Sequence, residues 1–246
     1  MLPQLRRPPT APPEELGLAP ERFGAFTDAV YSIAMTLLVL DVRLPAGLSI
    51  ADIPTHLREV WPNAVSYAVS FFALGILWTG HQYDHALLRR TDIIFTATGL
   101  TYLLLVALVP FSSGALGEYP NIPITHALYG LNLTAATLVG LLNVLYALGP
   151  GRLSHPHLDP RVVQMVTRRQ AIMVLGYGLA ALLAFVSTWL SGLLFVVTPL
   201  AFVPSRRMEH QLFRAARQVQ AYRVHEDAER AREDTLEHGL APIARR

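Results

Sequence analysis

Residues 60–81 read VWPNAVSYAVSFFALGILWTGH, and no Asp, Glu, Lys or Arg falls between Glu59 and Asp84. An apolar run of about 20 residues is what a helix needs to cross the hydrocarbon core of a bilayer. Working outward, comparable runs extend from Ile93 to Gly117 and, within Tyr119 to Gly151, from Ile122 to Leu148. The stretch from Gln170 to Val203 is longer still; as one helix rising ~1.5 Å per residue it would reach about 50 Å, too much for a single crossing. Its segment 187–192, STWLSG, offers the break, so that it reads as two spans, the second ending near Pro199 or Pro204. Ala25–Leu44, AFTDAVYSIAMTLLVLDVRL, is apolar between Ala29 and Leu40 and supplies one more. The pattern predicts an all-α, six-transmembrane-helix polytopic membrane protein.

Composition agrees. The chain has 246 residues, of which 52% are hydrophobic and 15% charged, with a mean hydropathy of +0.35. Soluble domains carry roughly 25% charged residues, so this chain lacks the polar cover of a water-soluble enzyme. Cys is 0, which removes disulfides, thiolate metal sites and cysteine nucleophiles together. A net charge of +2 argues against nucleic acid as a partner, and every one of the 20 basic residues is Arg.

Those arginines set an expected topology. Arg89 and Arg90 lie between the second and third spans, Arg152, Arg161, Arg168 and Arg169 between the fourth and fifth, and Arg206 and Arg207 after the sixth. The alternate connections are poor in basic charge, so the positive-inside rule puts both termini in the cytoplasm of a cell (plasma or inner) membrane. An even number of spans satisfies that condition. The expected division is a Pro-rich cytoplasmic leader at 1–20, a six-helix transmembrane domain at 21–204 and a charged, partly helical cytoplasmic tail at 205–246. The leader has no apolar signal-peptide region, and a helix is expected to begin near Pro20 and Glu21.

Charge inside a membrane span is costly and marks function, which draws attention to Asp28. Residues 22–28, RFGAFTD, comprise Arg22, Phe26, Thr27 and Asp28 at their characteristic positions. This segment resembles the RxxxFSD signature that opens the first helix of the transmembrane protein 175 family of potassium channels. Thr27 stands where the family usually has Ser and keeps the hydroxyl. Trp78 and His81 as W-x-x-H, then Asp92, then Val109, Pro110 and Phe111, are similar to the downstream marks of prokaryotic relatives. The resemblance covers the six spans and excludes the leader and the tail.

Taken alone, Ile33, Thr36 and Leu40 form a stripe about 60° wide at ~100° per residue, with Ala29 and Leu37 flanking it. Such a stripe is what ordinary helix packing also produces. The resemblance implies something else: a homotetramer without a carbonyl filter, whose pore is lined by the first helix, here by Ile33, Thr36 and Leu40. Rings of Ile33 and Leu40 would be apolar constrictions, and Thr36 hydroxyls would replace part of an ion's hydration shell. A pore without charged rings discriminates by dehydration cost, which favours potassium moderately over sodium. The implied function is a passive, potassium-selective cation channel embedded in lipid, not an enzyme, with no cofactor and potassium as the permeant ion.

Asp28 lies more than about 100° from the stripe's centre and reads as a structural lock whose donors sit on neighbouring helices. Trp78 and His81, three apart on one helix face, are the expected neighbours. Arg22 is in phase with Ile33, and Asp92 is the acid expected to neutralise it. Asp84 and His85 read as a solvated turn, His126 as packing or capping, and His155 and His157 as a loop rather than a metal site. Glu118 is expected in a solvated turn near the outer mouth. The alternatives are a secondary transporter, for which only Asn132 and Asn143 are suggestive, and a proton leak through the same pore.

Overall fold

The computed structural model describes residues 20–44, 46–47, 49–149, 153–154 and 158–202, together with Arg217, Ala228 and Arg232. The leader before residue 20, nearly all of the tail, Arg152, Arg206, Arg207, His155 and His157 lie outside the described residues. The described chain is helical: α1 (Pro20–Leu37) continues as a 3-10 turn (Leu38–Asp41), then α2 (Ile53–Glu59), α3 (Trp61–Ala86), α4 (Ile93–Ala107), α5 (Val109–Glu118), α6 (Pro123–Ala147), α7 (Pro160–Leu183) and α8 (Thr188–Phe202). No strand occurs among the described residues, only an isolated bridge between Leu88 and Ser154.

Helix starts follow from short-range chemistry. Proline, which has no N–H to lose at a first turn, opens α1, α6 and α7 and stands in the first turns of α2, α3 and α5. Asp92 caps α4 by accepting from the Phe95 amide at 2.7 Å, and Asp159 caps α7 by accepting from the Arg161 amide at 2.8 Å. Pro110 interrupts the apolar run 93–118 and divides it into α4 and α5, because its ring excludes a straight continuation.

Four helical stretches are long and apolar enough to cross a membrane: Pro20–Asp41, Trp61–Ala86, Ile93–Glu118 and Pro123–Ala147, with Thr188–Leu200 a shorter apolar helix. The chain is a membrane protein. Two boundaries differ from those expected. α7 begins at Pro160 rather than near Gln170, so Arg161, Arg168 and Arg169 are helical residues rather than loop markers. The break before α8 lies between Leu183 and Thr188, one turn earlier than 187–192, because Ser187 accepts from the Leu190 amide and starts the helix instead of interrupting one.

Within lipid, helices associate through close packing of small residues and through interhelical hydrogen bonds. The most extensive pairing, α6 with α7, is of the first kind. A Cβ on Gly130 would lie 2.8 Å from the Ala181 Cβ and 3.0 Å from its backbone, so the helix axes approach as closely as they do only because position 130 has no side chain. Hydrogen bonds of the second kind join α3, α5 and α6: Ser66 donates to the Ser113 carbonyl at 2.7 Å, and Ser70 to the Tyr129 hydroxyl at 2.9 Å. Thr98 donates to Asn143 at 2.7 Å, and Asn132 bonds Ser112, so both asparagines are spent on joining helices.

Gly130→Ala should lower the unfolding temperature in detergent, since overpacking a tight site costs about 1–3 kcal/mol. Gly178→Ala is the control: its nearest neighbour, Thr134, is 3.7 Å away, and loss of glycine's backbone entropy should leave stability unchanged or raise it by about 0.5–1 kcal/mol.

Candidate permeation helix and its lock

α1 buries Phe23, Thr27, Tyr31 and Ala34, and the 3-10 turn adds Leu38, spacings of three and four that keep one face against α3 and α4. Thr27, 1% exposed, turns its hydroxyl inward to the Phe23 carbonyl at 3.0 Å. The other face remains uncovered by the other described residues: Arg22, Phe26, Ala29, Ile33, Thr36, Leu37 and Leu40 are all exposed. Ile33 and Leu40, at 59% and 62%, are among the most exposed large apolar side chains of the helix. In this setting the Thr36 hydroxyl donates to the Ile33 carbonyl at 2.9 Å. Its proton is thereby directed to the backbone and its remaining lone pairs face outward.

Asp28 sits between the two faces. Its Oδ1 accepts from the Trp78 indole nitrogen at 2.8 Å and also from the Gln82 amide nitrogen. Trp78 and Gln82 are one turn apart on α3, so a single carboxylate grips one ridge of that helix. Nothing in the sequence marks Gln82 beyond its following Trp78 by four residues. His81 takes a different role. Its ring stacks on Tyr102 at 5.2 Å and lies 4.1 Å from the ring of His85, which in turn stacks on Phe23 at 5.6 Å. Tyr31 hydrogen-bonds Tyr102. This column of rings clamps the buried face of α1 to α3 and α4.

Asp92 is engaged by the Phe95 amide and by the Tyr146 hydroxyl at 2.6 Å. Among the described residues it forms no ion pair with Arg22, contrary to expectation, because capping α4 and binding α6 turn the carboxylate away from the exposed face. Asp84 and His85 also depart from expectation. α3 continues to Ala86, so they occupy its last turn under α7 rather than a solvated loop. Asp84 is 6% exposed, pairs with Arg169 at 2.8 Å and accepts from Gln170 at 2.9 Å, while Arg169 also donates to the Gly80 carbonyl at 3.1 Å. His126 caps the turn before α6 by bonding the Pro120 carbonyl at 2.8 Å, and Glu118 is the exposed last residue of α5.

Known proteins resemble this chain in sequence and fold. Residues 22–110 match the family described as endosomal/lysosomal potassium channel TMEM175. A potassium channel of Streptomyces collinus is 32% identical over 170 residues, covering 68% of this chain and 82% of that protein. One from Chamaesiphon minutus is 30% identical over 182 residues, covering 72% and 90%. The crystal structure of a lysosomal potassium-selective channel TMEM175 homolog from Chamaesiphon minutus superposes with a TM-score of 0.66 at 28% identity, covering 74% of this chain and 95% of that one. An endosomal/lysosomal proton channel TMEM175 of Gallus gallus is 32% identical over 100 residues, 37% of this chain but 19% of that protein. A match that starts at Arg22, and relatives aligned over most of their own length, show that the chain belongs to the TMEM175 family, a family of ion channels and not of enzymes.

Proposed function

We propose that this protein is a passive, moderately potassium-selective cation channel, a homotetramer in the cell membrane whose pore is lined by α1. One observation carries the reading: α1 has a buried face fastened to its own subunit and a continuous exposed stripe of Ala29, Ile33, Thr36, Leu37 and Leu40. A single helix cannot surround a pore, so copies must bring those stripes together around an axis. The relatives from Streptomyces collinus and Chamaesiphon minutus are named potassium channels, which supports the choice of ion.

In this arrangement Ile33 and Leu40 form apolar rings that exclude ions unless they shed water, and the outward lone pairs of Thr36 offset part of that loss. Potassium, holding its hydration shell less tightly than sodium, passes more readily. The channel spans the membrane six times, with α1, α3, the α4 and α5 pair, α6, α7 and α8 as passes, and both termini in the cytoplasm. The backbone amide of Arg89 donates to the Leu153 carbonyl at 2.8 Å, which holds the α3–α4 and α6–α7 connections side by side. Arg89 and Arg90 therefore lie beside the α6–α7 connection, at the end that the positive-inside rule assigns to the cytoplasm. The leader at 1–20 and the tail at 205–246 belong to that side.

Potassium and sodium flux into liposomes containing the purified protein tests the reading. Wild type should pass potassium faster than sodium without saturation or a co-substrate, and Ile33→Asn should raise flux and erode the preference. Unchanged permeation in Ile33→Asn, or saturable flux requiring a second substrate, contradicts it. Animal relatives carry the name proton channel, and a pH dye in the same liposomes measures any proton leak alongside.

Asp28→Asn should act on stability rather than on selectivity. Hydrogen bonds to a charged group contribute about 1.5–3 kcal/mol, so the variant should unfold at lower temperature and yield less tetramer in detergent. The tetramer that remains should retain the wild-type preference between potassium and sodium.

A further inference from the structure

The C-terminal end of α1 breaks a local rule. A helix C-terminus carries roughly −0.5 of an elementary charge, and cations are the residues that stabilise it. Here the 3-10 turn that ends α1 closes on Asp41, with no basic residue in its last turn. Asp41 is exposed, and among the described residues it forms no ion pair. It immediately follows Leu40, the exposed residue at that end of the stripe.

Two features hold this group where it is. Asn63, in the first turn of α3, donates its side-chain amide to the Asp41 backbone carbonyl at 3.2 Å. The carboxylate itself rests in a notch on α5: a Cβ added at Gly114 would come within 2.5 Å of Asp41 Oδ2 and 2.9 Å of its Cγ. Only glycine at 114 admits the carboxylate at this place. A negative side chain is thus docked against a negative helix end, without an ion pair among the described residues and with Arg43 the next charged residue along the chain, an arrangement that opposes the helix dipole.

Resting on the reading of α1 as the pore helix, we propose that Asp41 is the residue that concentrates cations at the pore mouth beyond Leu40. In the tetramer each subunit brings one such carboxylate and one α1 terminus to the mouth. Their summed field raises the local cation concentration and with it the entry rate, while selectivity is decided deeper, at the apolar rings. Asp41 touches α5 rather than the axis, so it works through its field and not as an ion ligand.

A field acting through water is screened by salt, with a Debye length of about 30 Å at 0.01 M and about 3 Å at 1 M. Potassium flux through liposomes holding the full-length tetramer should fall roughly threefold or more in Asp41→Asn near 0.01 M salt. The difference should vanish near 1 M, with the potassium-to-sodium preference unchanged throughout. The absence of native cysteine allows a second arm that does not depend on comparing separate preparations. In Asp41→Cys, a thiol reagent bearing a sulfonate should restore low-salt flux, and one bearing a quaternary ammonium should depress it further. A loss that is equal at both salt concentrations, or reagents of opposite charge acting alike, indicates a purely structural role and overturns the proposal. Leu40→Ala, measured in parallel, separates the two ideas. If it alters flux while Asp41→Asn and both reagents do not, only the role of Asp41 fails. If Leu40→Ala is inert as well, the pore assignment fails and the proposal with it.

Discussion

A carboxylate within an apolar helix has no bulk water to solvate it, and leaving it without donors is costly. Asp28 meets that demand through the Trp78 indole and the Gln82 amide of α3. Because both donors lie on one ridge of α3, satisfying Asp28 fixes the rotation of α1 about its own axis. Once that rotation is set, Phe23, Thr27, Tyr31, Ala34 and Leu38 face the subunit and Ile33, Thr36 and Leu40 face away from it. The orientation of the exposed stripe is therefore a consequence of where one half-buried carboxylate finds its hydrogen bonds.

The rest of the subunit supplies a rigid backing for that helix. The rings of Phe23, His85, His81 and Tyr102 pack in a column, stacked at each end and tilted between the two histidines, so α1 is held by packing as well as by the polar grip on Asp28. At the same end of α3, Asp84 is paired with Arg169 and Gln170 of α7. Buried pairs of this kind are poor sources of net stability but strongly penalise any arrangement that separates the partners. They fix α3 relative to α7, and α3 in turn fixes α1. Close approach of α6 and α7 at Gly130 completes the scaffold.

Helix class and most spans were legible because apolar length is a direct demand of the bilayer, and runs such as 60–81 and 93–117 have no other ready reading. What escaped was charge that the fold buries. In sequence, Arg161, Arg168 and Arg169 look like the edge of a connection with a span beginning after them; in the structure they are helical, and Arg169 is accommodated only because Asp84 faces it from another helix. Asp84 and His85 look solvated in sequence for the converse reason. A charge looks like a boundary until its partner, 85 residues away, is known. Within α1, the need of Asp28 for donors follows from the sequence, but the share taken by Gln82, and the engagement of Asp92 by Tyr146 instead of Arg22, depend on how α3, α4 and α6 are turned. No spacing rule within a single helix contains that information.

The central claim is that the uncovered face of α1 meets permeating ions. Since the chain has no cysteine, it can be tested by placing single cysteines along α1 and applying a small, charged, water-soluble thiol reagent to the protein in liposomes while potassium flux is recorded. Reagent added from the aqueous phase should block flux through cysteines at positions 36 and 40 and leave it unchanged at positions 34 and 38, whose side chains are buried against the other helices. Block at 34 or 38, or none at 36 and 40, would contradict it.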